Sequence, residues 1–137
     1  DNFLELYKKT IIMNKFITKE LGKNAISTYK RASNILEQEK TISKNGPDAV
    51  LFRYEEEKEL FERINAIRKA FTVKEEKKNY EEHLRLLSEV KLSTDKFFDN
   101  VKVNDDNKDL KNNRLELLQI LCSTFNTFVD FSKLEGT

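Results

Sequence analysis

An all-α fold, an antiparallel bundle of about six helices, is what this sequence of 137 residues predicts. Three observations predict it. Glycine occurs three times and proline once, so few residues are present that break helices or form tight turns between strands. Apolar side chains recur three and four residues apart over long stretches, the spacing that lines one face of a helix. Lys, Glu and Leu, all good helix formers, dominate the positions around and within those stripes. The length suits one domain able to bury a core without covalent staples.

Each element follows from its own pattern. A first helix is predicted over residues 2–21, with Phe3, Leu6, Tyr7, Met13, Phe16, Ile17 and Leu21 near one face and Gly22 placed to end it. Asn24 is a suitable cap for a second helix running to about Gln38, with a stripe of Ala25, Tyr29, Ala32 and Leu36 flanked by Ile26 and Ile35. The segment from Glu39 to Val50 carries Ser43, Asn45, Gly46, Pro47 and Asp48 and reads as a loop. A third helix is predicted over residues 53–71. Leu60, Ile64, Ile67 and Phe71 share one face, and Glu55, Glu56 and Glu57 suit the positive end of its dipole.

Thr72 is placed to cap a fourth helix reaching about Val90, with Tyr80, Leu84 and Leu87 inward. Ser93 or Thr94 is placed to cap a short fifth helix through Asp99. The last long helix runs from about Asn107 to Phe128, on a stripe of Leu110, Leu117, Leu121, Phe125 and Phe128. These faces need one another for burial, which is the reason for a bundle. No internal repeat is visible, and the alternating charges from Glu55 to Glu82 read as a solvated helix face.

Composition excludes several classes. Cys122 is the sole cysteine, so no internal disulfide forms, and a reduced, cytoplasmic setting is expected. No apolar run is long enough to span a membrane. The chain opens on Asp1 with no starting methionine, and a piece of a longer protein is the expectation. Net charge is +1, but residues 1–45 hold nine Lys/Arg against five Asp/Glu. His83 is the lone histidine and has no second His or Cys at ligand spacing. A partly exposed helix histidine is the expected role for it, and a small buried hydrophobe the expected role for Cys122. Asp105, Asp106 and Asp109 lack the glycine and terminal glutamate of a calcium loop, so helix capping explains them better. No glycine-rich phosphate loop and no catalytic constellation is present, and neither metal nor cofactor is expected in this chain.

Two places break plain bundle patterning. On the second helix, Ser27, Arg31, Asn34 and Gln38 share a polar face able both to donate and to accept hydrogen bonds. Such a face either reads the edge of an unstacked base or is simply the solvated back of a helix. On the last helix, Arg114 occupies the stripe between Leu110 and Leu117, where a guanidinium needs a partner or a wet pocket. Asp99 is the expected carboxylate partner. The pair is then either a buried brace between the fifth and sixth helices or the wall of an RNA-gripping pocket. Asn112 and Asn113 are poor helix formers just before Arg114, and their amides either contact a base or fray toward solvent. Of the adjacent Phe97 and Phe98, one packs inward while the other is available as a stacking face; the alternative is that both are core.

The stretch Asp95, Lys96, Phe97, Phe98, Asp99, Asn100, Val101, Lys102, Val103, followed by Asn112, Asn113, Arg114, Leu115, Glu116, Leu117 and Leu118, closely resembles the end of the β subunit of bacterial glycyl-tRNA synthetases. The run from Tyr29 to Leu36 resembles the second helix of the same domain, and the ending Asp130, Phe131, Ser132, Lys133, Leu134 fits too. The resemblance spans nearly the whole chain. Between about Thr41 and Lys91 it rests mainly on helical layout.

It implies a helical anticodon-binding domain of the DALR type, a fold shared with arginyl-tRNA synthetases. In this family an α2β2 tetramer joins glycine to its tRNA. ATP and magnesium act in the α subunit, and the β subunit supplies tRNA binding. Cytosines in a glycine anticodon offer an amino donor beside two acceptors. On this resemblance Arg31, Asn34, Asn113 and Arg114 are candidate donors to those bases and Asp99 a candidate acceptor. Asn100 lies in the same motif and joins the candidate tRNA-binding set. Lys30 and Lys102 are candidate phosphate contacts, which position without specifying. Two other readings are an anticodon-binding domain of the arginyl type and a helical module that only docks subunits.

Overall fold

The computed structural model describes residues 20–39, 46–72 and 80–128. Within them lie four α-helices: α1 (Glu20–Glu37), α2 (Glu55–Thr72), α3 (Tyr80–Asn100) and α4 (Lys108–Phe128). A single 3-10 turn, Ala49–Leu51, precedes α2. No strand occurs among the described residues. No helix of the described residues is long and apolar enough to cross a membrane.

Most described residues of the expected stripes form the core, with Leu36 and Leu110 only partly buried; the side chains of Phe71, Tyr80, Leu84, Leu87 and Phe128 lie outside the described set. Ala25, Tyr29 and Ala32 of α1 are buried against Leu60, Ile64 and Ile67 of α2, Val90 and Phe97 of α3, and Leu117, Leu121 and Phe125 of α4. α1 and α2 each pack on both α3 and α4. α1 and α4 run antiparallel: Tyr29 stacks on Phe125 at 6.3 Å between ring centroids, and Glu39 meets Lys111 at 3.3 Å. The Tyr29 hydroxyl accepts from the Asn126 amide at 3.2 Å, which satisfies a polar tip at the core's edge.

Several boundary expectations are corrected. The predicted fourth and fifth helices are one helix, α3. Ser93 and Thr94 are buried inside it, and the Thr94 hydroxyl donates to the Val90 carbonyl one turn back at 2.8 Å. A β-branched hydroxyl bonded in this way stays in the helix instead of starting one. The apolar line Leu86, Val90, Phe97, Val101 also runs straight through the supposed break. Gly22 does not end a helix; it lies inside α1. A helix interior tolerates glycine at a cost of about 0.5–1 kcal/mol relative to alanine. Asn24 is likewise interior, its carbonyl accepting from the Thr28 hydroxyl at 2.9 Å. Thr72 is the last residue of α2, and the first predicted helix lies outside the described residues except for its final positions, which belong to α1. His83 lies on α3, with its side chain outside the described set.

Helix starts are built from side chains. Asn107 caps α4, its amide oxygen accepting from the Asp109 and Leu110 N–H groups at 3.0 and 3.2 Å. Asp105 in turn accepts from the Asn107 N–H at 2.8 Å. The capping expectation for Asp105, Asp106 and Asp109 is corrected: the cap is Asn107, Asp105 supports it from the preceding segment, and Asp109 lies in the first turn of the helix. Gly46, at φ 84°, supplies the left-handed residue that the 46–48 turn requires.

Candidate nucleic-acid interface

One end of the bundle gathers nearly every residue singled out from the sequence. The C-terminal ends of α1 and α3 and the N-terminal turns of α2 and α4 meet there, together with segments 46–54 and 101–107. An interior clamp holds the segments around Arg114 together. Arg114, 1 % exposed, donates from Nε to Glu57 Oε1 at 2.9 Å. Its Nη1 donates to the Lys102 carbonyl at 2.7 Å and to Asp105 Oδ2 at 3.3 Å.

Glu57 is fully buried, and its other oxygen accepts from the backbone N–H groups of Arg53 and Tyr54 at 2.7 and 3.0 Å. This is the acidic half of a capping box, a third-position glutamate reaching back over the helix start. Asn113, also buried, clips the 46–48 turn by two bonds to the Asp48 backbone: its oxygen accepts from the N–H at 2.6 Å and its amide donates to the carbonyl at 3.1 Å.

Arg114 and Asn113 are therefore corrected as base-contacting candidates. Both are buried, and their polar groups are turned to internal partners. The brace reading of Arg114 holds, but with a different acid. Glu57 of α2 is the partner, while Asp99 stands exposed on the last turn of α3. Glu57 was legible in principle. It precedes Leu60, Ile64 and Ile67 at helical spacing, so one stripe carries a buried acid and another a buried base. Two opposite charges that each interrupt an apolar stripe are natural partners.

The remaining candidates are accessible. Lys30 is half-buried, and Arg31 and Asn34 are exposed on the polar face of α1, as is Ser27, with Gln38 exposed in the turn just past its end. Asp99, Asn100 and Lys102 are exposed where α3 ends. The two groups are joined by a stacked contact, the Arg31 guanidinium lying 4.1 Å over the centre of the Phe98 ring. Phe97 is fully buried and Phe98 is partly buried, packed against the core and edge to face on Phe97 at 5.6 Å, which lies closer to the reading that both are core. The stacking face of Phe98 is taken by Arg31. A guanidinium lying on a ring keeps its N–H edges free to donate.

Asp105 has its carboxyl held below the usual range, first by the bond from the Asn107 backbone and then by the Arg114 charge. Cys122 is buried, and burial pushes its thiol up to about 12. No group of His, Cys, Asp and Glu among the described residues is arranged to hold a metal ion.

A further feature went unnoticed in the sequence. A groove of about 550 Å³ runs between the 3-10 turn and the outer face of α2, lined by Phe52, Arg53, Tyr54, Lys58, Phe61 and their neighbours. Tyr54, half exposed, stands at its wall with Arg114 behind the ring at 5.5 Å. An exposed tyrosine just ahead of a helix start is an unremarkable pattern in one dimension, so sequence gave no signal for it.

Comparison with known proteins agrees with this architecture. The family model described as the DALR anticodon binding domain matches residues 25–133. Over 133 residues the chain is 37 % identical to the glycine–tRNA ligase beta subunit of Rickettsia prowazekii (strain Madrid E), covering 97 % of this chain and 20 % of that protein. The beta subunit of Rickettsia africae (strain ESF-5) matches equally, and that of Rickettsia akari (strain Hartford) is 35 % identical over the same span. The chain thus spans about a fifth of the length of the curated relatives it matches. A wholly helical set of described elements and a family match running from α1 past the end of α4 lead to one conclusion: this chain belongs to the DALR anticodon-binding domain family.

Proposed function

We propose that this chain reads the anticodon of a glycine tRNA as part of the β subunit of a glycine–tRNA ligase. In this reading the tRNA is presented to an α subunit that uses ATP and magnesium, within an α2β2 enzyme. The observation that carries the proposal is the exposed cluster of Lys30, Arg31, Asn34, Asp99, Asn100 and Lys102. Two helices and the segment that follows α3 contribute it at one end of the bundle, and the Arg31–Phe98 stack links the two sides. It pairs donors with acceptors, as the edges of unpaired bases demand. Lys30 and Lys102 suit phosphates, and Arg31, Asn34 and Asp99 suit base edges.

Glycylation assays on the parent ligase test this reading. Arg31→Ala and Lys102→Ala are expected to raise the KM for tRNA about tenfold while ATP-dependent activation of glycine stays unchanged. A ligase whose tRNA KM ignores both substitutions overturns it. The docking-module reading places Arg31 beneath another helix and Arg114 in internal pairs, whereas the RNA reading places both on one accessible surface. Arg31 is exposed, which supports the RNA reading, while Arg114 is buried and paired, as the docking reading expects, so the RNA reading rests on the exposed cluster without Arg114.

A further inference from the structure

We infer that Phe98 is a positioning residue for the RNA-binding cluster, its ring holding the Arg31 guanidinium in place to donate to acceptor atoms of an unpaired base. The inference rests on the RNA-binding reading above and gives a task to a side chain outside the proposed contact set. Arg31 lies on α1 and Phe98 on α3, with the guanidinium carbon 4.1 Å over the ring centre. A cation–π attraction reaches to about 6 Å, so this contact is well inside its range. Among the described residues no hydrogen bond or ion pair engages Arg31, although Asp99 follows Phe98 directly in the chain. The ring is therefore what holds the guanidinium, and the N–H donors are left open to an incoming acceptor.

The ring itself is firmly seated. Phe98 is partly buried, packs against the core and meets the fully buried Phe97 edge to face at 5.6 Å between centroids. A chain of contacts thus runs from the core through Phe97 and Phe98 to Arg31, which is exposed. An exposed arginine samples many rotamers, and ordering it on binding costs affinity. A guanidinium already held over a ring avoids part of that cost. Arginine suits the arrangement better than lysine, because its planar fork lies on an aromatic face while its edge still donates.

The test is tRNA glycylation by the parent ligase with phenylalanine analogues bearing one, two or three ring fluorines at position 98. Fluorine draws electron density from the ring face and weakens its hold on a cation, while the shape of the side chain is nearly kept. The KM for tRNA is expected to rise with each added fluorine, to about fivefold for the trifluoro ring, with ATP-dependent activation of glycine unchanged. In an Arg31→Ala background the same series is expected to be flat. Phe98→Leu, apolar but without a π face, is expected to match the trifluoro ring, and Phe98→Tyr to match the parent. A ring needed only for packing is blind to its own electron density. A KM indifferent to fluorination, with Arg31→Ala still raising it, therefore defeats the inference and leaves the RNA-binding reading standing. A fluorine series equally steep without Arg31 defeats it too. If Arg31→Ala and Lys102→Ala both leave the KM unchanged, the RNA-binding reading fails and this inference fails with it.

Discussion

Arg114 ties three segments together, although it breaks the apolar stripe in which it sits. Its guanidinium is fully internal and bonded to Glu57, Asp105 and the Lys102 carbonyl. Burying a charge is costly unless it is paired, and removing one partner strands the other. Arg114→Ala is therefore expected to destabilise the domain by about 3–5 kcal/mol in chemical denaturation, as is Glu57→Ala. The double replacement Glu57→Leu/Arg114→Leu is expected to lose less than the two single losses combined, because no charge is left orphaned. Additive losses would show that the two side chains act independently. The sequence marked Arg114 as anomalous but named the wrong acid. Asp99 lies fifteen positions before it and Glu57 fifty-seven positions before it, and only the packing of α2 beside α4 brings the latter close. Asn113 was misread for the same reason, since its partner Asp48 lies in a loop whose path no periodicity reports.

At the scale of elements, the helices were legible and several of their ends were not. Most described stripe residues of α1, α2 and α4 pack inward where spacing places them, Leu36 and Leu110 being only partly buried, because burial of one face decides a helix regardless of its partners. The boundaries failed where a residue has two uses. Thr94 can cap or bond backwards, and glycine can stop a helix or ride inside one. Segment 101–107 shows how a connection becomes an element in its own right, with Asp105 bonded to Asn107 on one side and Arg114 on the other.

Those bonds lower the carboxyl's proton affinity in the folded state, so their contribution is complete above the ordinary value of 3.8 and is lost as pH falls below it through the lowered value. Hydrogen exchange is expected to show the 101–107 amides losing protection in that acid window before the helix cores do. Asp105→Asn is expected to remove the pH dependence. Uniform loss of protection along the chain would refute a local anchor.

At the scale of the whole fold, one continuous core holds the described residues, and all four described helices take part in it. Cys122 lies within it, and its thiol is pushed up to about 12 by burial. The folded protein is therefore expected to resist thiol reagents at pH 8. Labelling should keep pace with global unfolding as denaturant rises, since no smaller opening reaches that depth. Fast labelling of the native protein would mean that α4 detaches on its own. The all-α class and the family were readable from the sequence because both rest on patterns repeated along the chain. The groove at Tyr54 was not, because it is made by a turn folding over a helix.

The buried ion pair has a practical consequence for redirecting specificity. Arg114 and Glu57 hold the 53–54 and 101–105 segments from inside, so the exposed Arg31, Asn34 and Asp99, which make no bond to that pair, can be exchanged with it intact. On the proposed reading, a library confined to Arg31, Asn34 and Asp99, with the clamp untouched, is expected to change base preference while the domain still folds.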